Sequence, residues 1–247
     1  MILAANWKAY IEDSARAKQL LDTAKRLARA TGVRILLAPS APFLGQLAAG
    51  NTSAVAFAAQ DVSATTGGAQ TGEVTAQAYA AAGATYAIIG HSERRARGDT
   101  NSVVSAKLSH VLAHGLVPIL CIGESVRDEE GRYLSYLREE ITSAFAGLSV
   151  KARSNILIAY EPVWAIGKTA ADALRPEELA EMVLYIRKVL TEQLPGKGAS
   201  RALILYGGSV EPSNARALAG QSGIDGFLVG HASVDPNTFS ALVKSLA

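Results

Sequence analysis

Three ionisable side chains each stand directly behind a short apolar run: Lys8 after ILAANW, His91 after YAIIG and Glu161 after ILIAY. A carboxylate in such a place loses solvent, and desolvation raises its basicity, as a general base requires. An imidazole at the start of a helix is disfavoured as imidazolium, so His91 is expected to be a neutral hydrogen-bond donor. A lysine there neutralises a bound anion or a developing negative charge. Two glycine-bearing turns, Gly207-Gly208-Ser209 and Gly230-His231, follow two further apolar runs. Glycine lets backbone N–H groups come close to an anion, so the two turns together suggest a phosphate cradle. The segment PVWAIG behind Glu161 is too apolar for an idle solvent loop and reads as a lid. This set suits proton abstraction beside the carbonyl of a small phosphorylated substrate. The carboxylate takes the proton, the imidazole and lysine stabilise the enediolate oxygen, and the lid excludes water.

Each residue taken alone also has a plainer reading. Lys8 is an ordinary surface lysine, His91 a histidine that caps a loop, and Glu161 a rim carboxylate paired with an arginine. Glu93, next to Arg94 and Arg95, is first a local ion pair. His110 and His114 lie four apart on a helical pattern with no third ligand near, so both are expected in solvent and no metal site is expected. No P-loop, dinucleotide or nucleophile-elbow pattern is present, so a serine hydrolase is not expected.

The elements that must hold these residues follow a simple alternation. Nearly continuous apolar runs occur at 2–5, 34–38, 55–59, 86–89, 117–121, 156–160, 202–206 and 226–229. Such runs suit parallel strands covered on both faces. Amphipathic helices lie between them. From Pro176, the residues Leu179, Met182, Val183, Ile186 and Leu190 share one face, with Glu177 and Glu178 in the first turn. After Thr100, a stripe of Val104, Leu108, Val111 and Leu112 ends at Gly115. Eight units share 247 residues, roughly 31 each, the length of one strand–helix unit. Strict alternation predicts an α/β protein with a parallel sheet, and eight units predict closure into a (β/α)8 TIM barrel, one domain over 1–247. Active sites of such barrels lie at the C-terminal strand ends, where Lys8, His91, Glu161 and the glycine turns fall.

Composition narrows the class further. Hydrophobic residues make up 49% and charged residues 19%, which excludes a disordered chain. A net charge of +2 without a concentrated basic face gives no reason to expect a nucleic-acid partner. Cys121 is the lone cysteine, so no disulfide forms within the chain and a reducing compartment suits it. The longest stretch without charge, 35–60, is broken by Pro39, Pro42, Gly45 and Gly50, so no membrane span is expected. The opening MILAANWKAY lacks the pattern of a secretory leader, and a cytoplasmic protein is expected.

The motifs NWK (6–8), AQ (59–60), TGEV (71–74), IIGHSERR (88–95), GLVPILCIGE (115–124), AYEPVWAIG (159–167), YGGSV (206–210) and DGFLVG (225–230) run the length of the chain. In these it resembles the triosephosphate isomerase family. The resemblance implies interconversion of dihydroxyacetone phosphate and D-glyceraldehyde 3-phosphate without a cofactor. It makes Glu161 the base, His91 the electrophile, and Lys8 and Asn6 the electrostatic and hydrogen-bonding pair beside the substrate. Glu93 matches the acidic residue after the histidine, and Cys121 a buried cysteine beside the site. Gly167, Ser209 and Gly230 match positions whose backbone N–H groups hold phosphate, with His231 next in the turn. The resemblance also implies a homodimer, in which Thr71, Gly72 and Glu73 on a loop at about 65–75 reach the neighbouring site. Thr71 would then contact Asn6 and His91 of the partner subunit.

Four places depart from the family pattern. Ala9-Tyr10 stands for the usual Met-Asn, Gln60-Asp61 for Gln-Asn, and Gly230-His231 for a glycine pair. The lid reads AIGKTAADALRPEE instead of AIGTGKTA: either its tip is shortened and the following segment lengthened, or, the reading favoured, its second hinge moves to about 170–173. Two other classes bear on the reading. A different phosphate-binding barrel enzyme, using a Schiff-base lysine, is disfavoured by the NWK, GHSE and YEPVW set. A catalytically silent binding protein is disfavoured by the intact Lys8, His91 and Glu161.

Overall fold

The computed structural model describes residues 1–166 and 174–247. Eight parallel strands close on themselves in chain order. They are β1 Ile2–Asn6, β2 Arg34–Ala38, β3 Ala56–Ala59, β4 Tyr86–Ile89, β5 Val117–Ile122, β6 Leu157–Tyr160, β7 Ile204–Tyr206 and β8 Gly226–Val229. The seam closes where Ile2 pairs with Gly226 and Ala5 with Val229. A Cβ on Gly226 would fall on the Ile2 carbonyl, so only glycine lets the last strand meet the first. The expected (β/α)8 barrel is therefore present.

Side-chain alternation divides the barrel into two cores. Ile2, Ala4, Leu36, Ile88, Ile119, Cys121, Ala159, Leu205 and Leu228 point into the barrel. Their strand neighbours, among them Leu3, Ile35, Ile89, Leu120, Ile158, Tyr206 and Phe227, pack outward against the helices. The period of two that defines a strand is visible on every wall.

The helices lie where the periodicity puts them. Helix Pro176–Gln193 buries Leu179, Met182, Val183, Ile186 and Leu190, and Glu178 Oε2 accepts from the Arg175 N–H at 2.9 Å to cap it. Helix Asn101–Ala113 buries Val104, Leu108 and Val111, with Leu112 partly covered, and Gly115 follows at φ +74°. Among the described residues no helix is long and apolar enough to cross a membrane.

Strand ends differ from the sequence pattern for local reasons. Asn51 Nδ2 takes the Val55 carbonyl at 2.8 Å, so β3 begins one residue later than expected. The Ile156 N–H closes a turn onto the Arg153 carbonyl at 3.2 Å, which delays β6. The Ala202 N–H returns to the Gly198 carbonyl, at 3.1 Å, at the end of the short helix Gly198–Arg201. That leaves β7 only Ile204–Tyr206. His110 is also not idle in solvent: its Nε2 lies 3.0 Å from the Ala64 carbonyl and ties Asn101–Ala113 to the loop after β3.

Candidate active site

Strand parity carries past the strand ends into a single cleft. Counting in twos from the inward residues Ala4, Ala159, Leu205 and Leu228 reaches Asn6, Glu161, Gly207 and Gly230. These four line one cleft of about 230 Å³ together with Lys8, His91 and Ser209. Glu161 is 2% exposed and Asn6 5%. Glycine makes the room for this carboxylate. A Cβ on Gly207 would stand 2.9 Å from Glu161 Cγ, and one on Gly123 would fall on the Glu161 carbonyl.

Both carboxylate oxygens of Glu161 are engaged. Oε1 lies 3.1 Å from His91 Nε2, and Oε2 accepts the Ser92 N–H at 3.0 Å. The plainer reading of Glu161, a rim acid on an arginine, is thus replaced by a pairing with histidine. His91 does cap a short helix, Ser92–Arg95, but the cap itself sets its chemistry. Its Nδ1 accepts the Glu93 N–H at 3.2 Å. A nitrogen that accepts carries a lone pair, so the ring proton sits on Nε2 and the ring is neutral. The hydrogen of Nε2 then points at the place where Glu161 and a substrate oxygen would meet.

Lys8 is the one non-glycine residue with positive φ among the described residues, at +48°. That region is disfavoured for a side chain and persists only where the surroundings impose it. Its carbonyl accepts Gln60 Nε2 at 2.9 Å and Ser40 Oγ at 3.1 Å, and its N–H donates to Asn6 Oδ1 at 3.1 Å. The second hydrogen of Gln60 Nε2 goes to the Ala38 carbonyl at 2.9 Å, which fixes the amide to β2. The ammonium reaches Glu93 Oε1 at 2.6 Å. Glu93 is therefore not paired with Arg94 or Arg95, as its neighbours in sequence suggest. Burial alone would push its carboxyl up, but the Lys8 hydrogen bond and charge hold it below the usual range.

Two buried ion clusters around the site escape the motif reading. Lys107 Nζ lies 2.7 Å from Asp61 and 2.6 Å from Asp99, and Arg94 Nε lies 2.8 Å from Asp61. The departure at Asp61 thus brings a carboxylate that two cations compensate, while burial still pushes its pKa up. The sequence signal was a lysine on the apolar stripe between Val104 and Val111. Behind the Glu161–His91 pair, Glu140 Oε2 accepts the Gly123 N–H at 2.8 Å, and Arg95 donates to the Gly90 carbonyl at 2.9 Å. Arg95 Nε and Glu140 Oε1 stand 3.1 Å apart, with Glu140 fully covered. Burial raises Glu140 to about 7 against the lowering pull of Arg95. Cys121, inside the barrel below Glu161, is held well up as a thiol by burial.

The root of the apolar segment is anchored. Glu124 Oε1 accepts Tyr160 Oη at 2.9 Å and Trp164 Nε1 at 2.8 Å, and Ser209 Oγ donates to the Ala165 carbonyl at 3.1 Å. The rest of the expected lid, the hinge expected at 170–173 and Gly167, expected to bind phosphate, lie outside the described residues. Thr71, Gly72 and Glu73 are exposed and do not line the cleft. They belong to a loop whose base is closed by the Ser63 N–H on the Val74 carbonyl at 2.9 Å. Next to the cleft, a second hollow of about 320 Å³ is bordered by Lys8, Gln60, Asp61, Glu93 and Arg97.

A closed parallel barrel that gathers a buried carboxylate, a neutral imidazole and an ammonium at its C-terminal rim defines a barrel enzyme built for proton transfer. Residues 1–246 match the family model described as triosephosphate isomerase. Proteins of that name from Symbiobacterium thermophilum and Thermus thermophilus are each 39% identical to the chain. The alignments cover 100% and 99% of this chain and 96% and 98% of those proteins. One from Pelobacter propionicus is 40% identical over 98% of this chain and 97% of its own length. The chain belongs to the triosephosphate isomerase family and is an enzyme of the isomerase class.

Proposed function

We propose that the chain interconverts dihydroxyacetone phosphate and D-glyceraldehyde 3-phosphate through an enediolate, with Glu161 as the base. The observation that carries this is the meeting of Glu161 with His91 Nε2 at 3.1 Å in a cleft shared with Lys8. Glu161 removes a proton from the carbon beside the substrate carbonyl. The C–H electrons form the carbon–carbon double bond, and the carbonyl oxygen gains the negative charge. His91 Nε2–H and the Lys8 ammonium stabilise that oxygen. The hydroxyl proton of the neighbouring carbon crosses to it by way of the imidazole. Glu161 then returns its proton to the former carbonyl carbon while the deprotonated oxygen of its neighbour forms the new carbonyl, which completes the isomerisation with atoms and charge balanced. Asn6 fixes the Lys8 backbone, and Glu93 holds the Lys8 ammonium in reach. Ser209, Gly230 and His231 hold the phosphate by their N–H groups, with Gly167 as the fourth. No cofactor enters these steps.

The whole chain, 1–247, works as one barrel domain in the cytoplasm, and two copies associate. The exposed loop carrying Thr71, Gly72 and Glu73 fits the neighbour's hollow beside Lys8 and Glu93. Isomerase activity on glyceraldehyde 3-phosphate tests the reading, with Glu161→Ala in parallel and the dimer checked by sedimentation. Loss of a general base costs about 10²–10⁴ in rate while the fold persists. A folded wild type without activity would sink the reading in favour of a binding protein.

A further inference from the structure

Two departures from the family pattern meet in space. Tyr10 lies two residues past Lys8, and His231 lies one residue past Gly230. Their ring centroids are 6.1 Å apart with planes at 73°, an edge-to-face pair. Both residues line the catalytic cleft, at the end bounded by the β7 and β8 turns. Tyr10 is 57% exposed, so its ring is not held there by core packing. His231 has no left-handed backbone, so the turn carries its side chain without strain. The Lys8 arm lies against the same turn, because a Cβ on Gly230 would stand 3.3 Å from Lys8 Cε.

We propose that Tyr10 and His231 act as one unit at the phosphate end of the cleft. The Tyr10 ring seats the imidazole, and its protonated form adds a cationic contact to a bound oxyanion. This deepens the function proposed above and rests on its placing the phosphate between the β7 and β8 turns. The charges around the imidazole are mixed. Lys8 from the β1 loop and Glu211 from the β7 turn line the same cleft with opposite charges, and a bound anion would add a negative one. Behind the β8 turn, Arg16 donates to the Val234 carbonyl at 3.1 Å and stands 3.4 Å from Asp235, so that pair largely cancels. His91 and Glu161 on the cleft floor are common to every variant compared.

Sulfate is the probe, because it stays dianionic from pH 5.5 to 8.5 and contributes no titration of its own. Its Kd is measured by calorimetry on the wild type, His231→Gly, His231→Gln and Tyr10→Leu. Common titrations of the cleft floor cancel between proteins. One added charge facing a dianion at a solvated mouth tightens binding roughly three- to fivefold. Between pH 8.5 and 5.5 the wild-type Kd should therefore fall by that factor more than that of His231→Gly. The Gln variant should follow Gly, and Tyr10→Leu should lose at least half of the extra gain. Parallel profiles for the wild type and His231→Gly would overturn the proposal. A wild-type profile in Tyr10→Leu would overturn the pairing and leave His231 acting alone. If isomerase activity is present while the profiles are parallel, only the pair fails. If no protein binds sulfate and none is active, the placing of the phosphate fails with it.

Discussion

The backbone of Lys8 makes a prediction in which stability and activity separate. Its φ of +48° costs an L-residue about 1–2 kcal/mol, and glycine escapes that cost. Lys8→Gly relieves the strain but loses roughly 0.5–1 kcal/mol to the greater freedom of glycine in the unfolded chain. Both Lys8→Gly and Lys8→Ala give up the ammonium contact with Glu93, a part-exposed pair worth under about 1 kcal/mol. The Gly variant should therefore lie within about 1 kcal/mol of the wild type. The Ala variant keeps the strain and loses the pair, so it should be less stable than Gly by up to about 1 kcal/mol. That order reverses the usual one, in which alanine is the more stable of the two at an ordinary position. Urea unfolding at one protein concentration gives the comparison, with equal m values required of the variants. Both variants should lose about 10²–10³ in kcat, the scale of one electrostatic contact to a developing oxyanion. An Ala variant as stable as Gly, or more so, would refute the claim that this backbone is strained.

Two further outcomes follow from the buried ions. Lys107→Met leaves Asp61 and Asp99 facing each other with only Arg94 to compensate, and should cost about 3 kcal/mol. Adding Asp61→Asn should recover part of that loss in the same urea titration. Glu140, raised from its ordinary value to about 7, keeps its proton longer in the folded protein than in the unfolded chain. Stability should therefore fall as pH rises through the window from about 4.5 to 7, by up to about 3 kcal/mol, and level off above it. Glu140→Gln should flatten that decline in unfolding measured at pH 5 and pH 8. A decline unchanged in the variant would assign the pH dependence elsewhere.

The chain exposes its fold in sequence because each wall of the barrel is covered on both faces. A strand so covered has no polar face, and its apolar run stands out between amphipathic helices. Lys8, His91 and Glu161 stood out in sequence for a related reason: an ionisable side chain directly behind such a run is carried to the strand's C-terminal end, and the three share one cleft. What stayed hidden was pairing. Glu93 sits beside two arginines in sequence, yet it bonds Lys8 from the opposite side of the cleft. Arg94 and Arg95 turn instead to Asp61 and Glu140. Local charge order does not decide partners once the chain closes into a barrel, because the rim turns the ends of β1 and β4 towards one another across the cleft with no trace in sequence spacing. The strain at Lys8 was equally invisible, since no residue type announces a positive φ except glycine and, less often, asparagine.

The same closure explains why the site needs so much buried polar support. An inward position at the rim carries a side chain into a narrow, largely buried space, where a polar atom is costly without a partner. The Ser92 and Glu93 N–H groups serve two ends at once. They belong to the first turn of a helix, where they lack partners of their own, and they fix the Glu161 carboxylate and the His91 tautomer. Each carboxylate oxygen keeps a second lone pair beyond the one bond it accepts, so the pairing holds Glu161 in place without taking away its capacity as a base. Under the function proposed above, a substrate carbonyl oxygen would take over the His91 Nε2–H hydrogen bond from Oε1 of Glu161, which would turn that oxygen towards the carbon that loses its proton. Binding of substrate and release of the base would then be a single event, the exchange of one hydrogen bond for another.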